Sequence, residues 1–181
     1  MALLRTDPSL EVRVNTTTIA TPVGPLTIVA TDAGAVRTAG FTDDPATLVN
    51  GGVEVRPRAD LGAISRAVHA YLAGELTALD EVPVEQPAGG SFLPEAWRAL
   101  RRTRPGERLT YTELAARAGR PAAVRAAANA CARNAAALFV PCHRIVRTDG
   151  GLGGYRWGTP VKRWLLDHEA GGEASATGER G

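Results

Sequence analysis

Cysteine is nearly missing from this 181-residue chain: Cys131 and Cys142 are the only two, which excludes a disulfide framework. There is no CxxC, and His69, His143 and His168 do not complete a zinc-ligand spacing with them, so no metal site and no cofactor is expected. Nor is there an apolar run near the roughly 18–20 residues that cross a membrane. The opening MALLRTDPSLEVR has too short an apolar stretch for a secretory signal and carries early acids. A cytoplasmic protein is the expectation, in a reducing compartment that keeps Cys142 a thiol. Lysine is represented by Lys162 alone.

What is present is a charge asymmetry. Between residues 95 and 165, fourteen Lys and Arg face four acids, a net +10; the remainder holds seven against fifteen, a net −8. A compositional preference for arginine explains the choice of cation but not its clustering. The pattern points to a polyanion partner for one half of the chain. With 44% apolar residues there is enough material for a core.

The pattern along the chain predicts an α+β protein. Residues 1–13 read as a loose leader. NTTTIA, LTIVAT and AVRTAGF, separated by TPVGP and DAG, read as an antiparallel meander. TDDPATLVNGGVEVRPRADLG reads as loop, and Ile64, Val68, Tyr71 and Leu72 as one helical face. VPVEQPAGG is the expected linker, dividing an N-terminal α/β domain (1–88) from a helical domain (89–171), with a disordered tail at 172–181. In the second domain Leu93, Trp97 and Leu100 share a helix face. Thr110–Glu113 forms a capping box, and the helix it opens ends at Gly119. Pro121 suits the first turn of another helix, AAVRAAANACAR, completing a helix-turn-helix. Val124, Ala127 and Cys131 would face inward; Arg125, Asn129 and Ala132 would face out, a smooth alanine surface with one long cation. Thr159-Pro160 starts a final helix through VKRWLLDHEA.

The chemistry gathers in LFVPCHRIV, a strand-like run ending in proline, cysteine, histidine and arginine. Cys142 is the natural nucleophile and needs a base or a positive environment to react at neutral pH. If the run is a strand, His143 points to the opposite face. It would reach the thiol only where the chain turns, or through one water. Glu169, on the side of Leu165 and Leu166, is a carboxylate on an apolar stripe and a plausible partner for that imidazole.

PCHRIV, with TYTELA before it and GGYRWG and KRWLLDHEA after it, resembles the O6-alkylguanine-DNA alkyltransferase family over residues 92–170. TPVGPLTIVATDAGAV is similar to that family's less distinctive first domain. The resemblance implies a ribonuclease H-like first domain and a winged-helix-type second one. It implies irreversible transfer of an alkyl group from O6-methylguanine, and secondarily O4-methylthymine, in duplex DNA to Cys142. His143, through a water, and Glu169 would form the relay. Asn134 would brace the turn to the cysteine, and Tyr111 would protonate the guanine ring nitrogen. Arg125 would fill the stack after the base is flipped into a pocket enclosed by Tyr155. Ala128 and Asn129 would lie against DNA, from a helix-turn-helix in the minor groove. The partner is double-stranded DNA carrying O6-alkylguanine, met by a monomer.

Three departures from the family accompany this resemblance. The first half has no cysteine, so the zinc site of some relatives is not expected. Ala137 stands where a proline is frequent. Arg156 and Trp157 replace small residues, which predicts a narrow pocket; GYRWG resembles the alkyltransferase half of the bacterial adaptive-response protein, whose regulatory domain has no counterpart here. Two rival readings are a non-catalytic winged-helix DNA-binding protein, which has no use for Cys142, His143 and Glu169 together, and a cysteine hydrolase, which the adjacent Cys-His disfavours.

Overall fold

The computed structural model describes residues 12–87 and 89–171. The expected disordered tail, 172–181, lies outside them, as does the expected leader apart from Val12 and Arg13. Those two residues begin β1 (Val12–Thr21), which turns through Pro22-Val23 into β2 (Gly24–Ala30); β3 (Val36–Gly40) follows antiparallel to β2. These are the three predicted strands.

The sheet, however, is mixed. β4 (Val53–Pro57) pairs parallel with β1, giving the order β3-β2-β1-β4. The three-strand antiparallel meander is as expected, and β4 adds to it: its five residues follow Gly51-Gly52 and end in proline, a local pattern that reads as loop. Proline at the end of an outer strand costs no ladder bond there. The crossover from β3 contains a 3-10 turn at Pro45–Thr47, capped by the Asp44 carboxylate accepting from the Ala46 N–H.

Helix α1 (Ala63–Leu72) turns Ile64, Val68 and Tyr71 into a core shared with Ile19, Leu26, Ile28 and Val36. α2 (Phe92–Arg101), α3 (Tyr111–Arg117), α4 (Val124–Ala132) and α5 (Thr159–Glu169) complete the second half. The capping box is present: the Glu113 N–H donates to Thr110 Oγ1 at 3.2 Å and the Thr110 N–H to Glu113 Oε2 at 2.7 Å. α4 starts at Val124, later than Pro121, because Arg120–Ala123 closes a separate turn through the Ala123 N–H and the Arg120 carbonyl. Its inward face is Ala127 and Ala130; Val124 and Cys131 are only partly buried. Leu100, Leu114 and Leu165 are buried on the helical side, each contributing about 1.5–3 kcal/mol of apolar burial.

The halves are joined by backbone pairing. Along the free edge of β3, the Val36 N–H donates to the Pro83 carbonyl and the Glu85 N–H to the Val36 carbonyl, both at 2.8 Å. Further along, the Ala39 N–H donates to the Ala135 carbonyl (2.9 Å) and the Ala137 N–H to the Ala39 carbonyl (3.1 Å). The segment read as a linker is thus fastened to the sheet, and the turn that precedes Cys142 extends the same edge.

Candidate active site

LFVPCHRIV is not a strand. Leu138 adopts a left-handed conformation (φ 73°), which costs a branched side chain about 1 kcal/mol, and Cys142–Arg144 forms a 3-10 turn. Asn134 braces this path. Its Nδ2 donates to the Val140 carbonyl at 2.8 Å and to Cys142 Sγ at 3.2 Å, while its Oδ1 accepts from the Ala136 N–H at 3.0 Å. A turn in place of a strand removes the objection that Cys142 and His143 must face opposite ways.

His143 is fully buried, with Nε2 at 2.8 Å from Glu169 Oε1. Burial alone would raise the Glu169 carboxyl, but the His143 and Arg144 charges and hydrogen bonds outweigh it and hold it well below the usual carboxylate range. An ionised Glu169 only accepts, so His143 Nε2 carries a hydrogen. The other ring nitrogen, Nδ1, is buried and has no hydrogen-bond partner among the described residues.

Three residues missing from the sequence reading complete the arrangement. Arg144 grips Glu169 with two bonds, Nε to Oε2 and Nη2 to Oε1, both 3.0 Å, and donates through Nη1 to the carbonyl and hydroxyl of Thr103. Tyr71, from α1, donates its hydroxyl to Glu169 Oε1 at 2.9 Å. Gln86 donates from Nε2 to Asn134 Oδ1 at 3.1 Å and accepts the Ala135 N–H at 2.8 Å. Arg144 was visible as the fourth residue of PCHR; Tyr71 and Gln86 carry no local signal. Lys162 is buried as well, donating to the Ile145 carbonyl at 2.6 Å. The +10 block is therefore not all surface, since Arg144 and Lys162 are spent inside.

Cys142 opens onto a cavity of about 330 Å³ lined by Tyr111, Ala128, Cys131, Asn134, Tyr155 and Trp157, among others. Burial pushes the Cys142 thiol up, opposed by the Asn134 hydrogen bond and the Lys162 charge. Burial also raises the Tyr111 phenol, and the nearby thiols add to it. Cys131, expected to face the helix interior, instead contributes to the cavity wall, with its thiol raised by burial. The Tyr155 hydroxyl is buried without a partner among the described residues. Arg125 and Asn129 are exposed on α4, outside the cavity, whereas Ala128 of the same helix lines it. His168, beside Glu169 in sequence, stacks on Trp164 and bonds the Tyr71 carbonyl through Nε2 at 2.7 Å, a structural role. His69 is exposed.

Residues 91–171 match the family model described as 6-O-methylguanine DNA methyltransferase, DNA binding domain. The methylated-DNA–protein-cysteine methyltransferase of Salmonella typhimurium is 37% identical over 160 residues, covering 83% of this chain and 92% of its own. The chain belongs to that methyltransferase family. The bifunctional transcriptional activator/DNA repair enzyme Ada of Escherichia coli is 40% identical over 136 residues, 72% of this chain but only 38% of Ada. The crystal structure of Mycobacterium tuberculosis OGT in complex with DNA superposes with a TM-score of 0.74 at 32% identity, covering 88% of this chain and 93% of that one. Family membership and the mixed α+β fold thus agree with the site.

Proposed function

We propose that the protein repairs duplex DNA by transferring the alkyl group of O6-methylguanine to Cys142, once per molecule. The carrying observation is Cys142 Sγ, held by Asn134 Nδ2 at 3.2 Å and facing a cavity of a size for one base, with its chain neighbour His143 buried against Glu169. The thiol proton passes through a water to His143 Nδ1, and Glu169 stabilises the resulting cation. The thiolate attacks the methyl carbon, forming an S–C bond as the C–O6 bond breaks, and the bonding pair leaves with the guanine. Tyr111 gives its proton to the ring nitrogen and regains one from the relay, so the thiol proton ends on guanine. A thioether is a dead end for Cys142, which limits each chain to one event.

A stacked base is out of reach, so the nucleotide is flipped at a cost of a few kcal/mol. Arg125, exposed on α4, fills the vacated stack, and Ala128 and Asn129 lie against the strand. Tyr155 closes over the base. The exposed arginines supply phosphate attraction. The α3–α4 pair acts as a winged-helix-type reader in the minor groove, beside a ribonuclease H-like first half, with the division near residue 88. A monomer in a reducing cytoplasm suffices, since every group named lies in one chain. The reading extends less directly to O4-methylthymine.

The test is a duplex carrying O6-methylguanine with a labelled methyl group. Label on protein in a one-to-one ratio, with guanine restored, is expected. Retained damage on bound DNA would mean a binding protein, and released methanol a hydrolase.

A further inference from the structure

Trp157 belongs to the loop that walls the cavity, yet the far edge of its indole lies in the N-terminal sheet. A Cβ placed on Gly40, the last residue of β3, would stand 2.4 Å from both Cη2 and Cζ2 of Trp157 and 2.9 Å from Leu48 Cδ2. Gly40 does not have a positive φ, so its backbone conformation does not call for glycine. The missing side chain is what makes room for the ring. Arg156 covers the indole at 5.0 Å from its centroid.

Within the loop the Arg147 N–H donates to the Gly151 carbonyl, the Gly150 N–H to the Arg147 carbonyl, the Gly151 N–H to Asp149 Oδ1 and the Gly158 N–H to the Tyr155 carbonyl, and Lys162 Nζ reaches the Gly154 carbonyl at 3.3 Å. Tyr155 packs against the core, while Trp157 anchors the loop to the sheet at Gly40 and lines the cavity next to Tyr155. The position of that wall depends on how deeply the ring seats.

We infer that Gly40, a residue of the half without reacting groups, determines the size of alkyl group the site accepts, by storing the bulk of Trp157 outside the cavity. This rests on the alkyl-transfer reading above. A side chain at residue 40 drives the ring back toward the cavity, because Leu48 closes the other side of the notch. Methyl transfer needs the least room and suffers least. In a tight apolar pocket each added methylene is worth tenfold or more in discrimination.

The experiment measures transfer rates from duplexes carrying O6-methyl-, O6-ethyl- and O6-butylguanine. Gly40→Val, a substitution that suits a strand, is expected to lower the ethyl-to-methyl ratio by about tenfold. Trp157→Gly in the same chain is expected to abolish that change, since nothing is left to displace. Gly40→Ala, a smaller intrusion, gives the same direction if the valine variant does not fold. An unchanged or raised ratio in the single variant overturns the inference, as does a lowered ratio that persists without Trp157. Absence of methyl transfer in the unaltered protein would instead fail the repair reading itself.

Discussion

The two halves of the molecule contribute in opposite ways. Residues 95–165 hold a net +10 and supply Cys142, His143, Asn134, Tyr111 and Arg125, with Glu169 just beyond. The N-terminal half lies within the net −8 remainder, and none of its described residues lines the cavity. Yet it and the segment that follows touch the site repeatedly: Tyr71 on Glu169, Gln86 on Asn134, the edge of β3 on Ala135 and Ala137, and Gly40 on Trp157. One half lines the cavity with its reactive side chains and the other holds their geometry. The N-terminal half is here part of the site's frame: without Tyr71 and Gln86, Glu169 and Asn134 would each be short of a partner.

The largest expected effect comes from the reacting half. Glu169→Gln keeps the shape but leaves Arg144 buried against a neutral amide, which should cost about 3–5 kcal/mol of stability in urea unfolding, as broken buried pairs do. Methyl transfer should fall with it. Because the folded carboxyl is depressed, its stabilisation is present above the ordinary carboxylate range and is lost as pH falls through the folded value. The wild type should therefore lose stability on acidification below about pH 4, and the variant should lack that part of the dependence. Equal acid sensitivity of the two would show that Glu169 is not the group responsible.

Arg125→Ala comes next and has no counterpart in the N-terminal half. It should slow repair of duplex O6-methylguanine at least tenfold at saturating DNA, on the few kcal/mol that unstacking costs. Reaction with the free modified base should change little, since Cys142, His143 and Glu169 are untouched. Equal losses on both substrates would place Arg125 in the site's support rather than at the DNA. Loss confined to binding, with a salt slope lower by about one, would make it a phosphate contact.

The framing residues should give smaller, distinguishable losses. Tyr71→Phe removes one hydrogen bond to a buried carboxylate, about 1.5–3 kcal/mol by the usual scale for charged partners, readable in the same urea titration. No loss would mean that Arg144 and His143 already satisfy Glu169. Gln86→Leu should cost less, about 0.5–1.5 kcal/mol. Its signature is in the pH profile: Gln86 polarises the Asn134 amide that donates to Sγ, and that bond opposes the upward push of burial on the thiol. Weakening it moves the rising limb of methyl transfer to higher pH. A slower reaction with an unmoved limb would reduce Gln86 to a structural tie.

The helical half was largely legible because its signals are local. The capping box, Pro160 at the start of α5 and the apolar faces of α2 and α5 are written within one or two turns. β4 was missed because five residues ending in proline resemble a loop until β1 is there to pair with. The path through Leu138–Val140 was read as a strand from its apolar run, but Asn134 and the left-handed Leu138 force a turn. Cys142, His143, Asn134, Tyr111 and Glu169 could be placed together through a motif resemblance. Tyr71 and Gln86 could not: they lie 98 and 48 residues from their partners, and nothing in HAYLAG or VEQPAG distinguishes them from core and linker residues.

Cys142 alone is proposed to accept the alkyl group, and to do so once. Peptide mass spectrometry after exposure to excess O6-methylguanine duplex tests it most directly. A single methyl group on the peptide containing Cys142, none on that containing Cys131, and a plateau at one equivalent per chain are predicted. Methylation of Cys131, or continued repair beyond one equivalent, would contradict it.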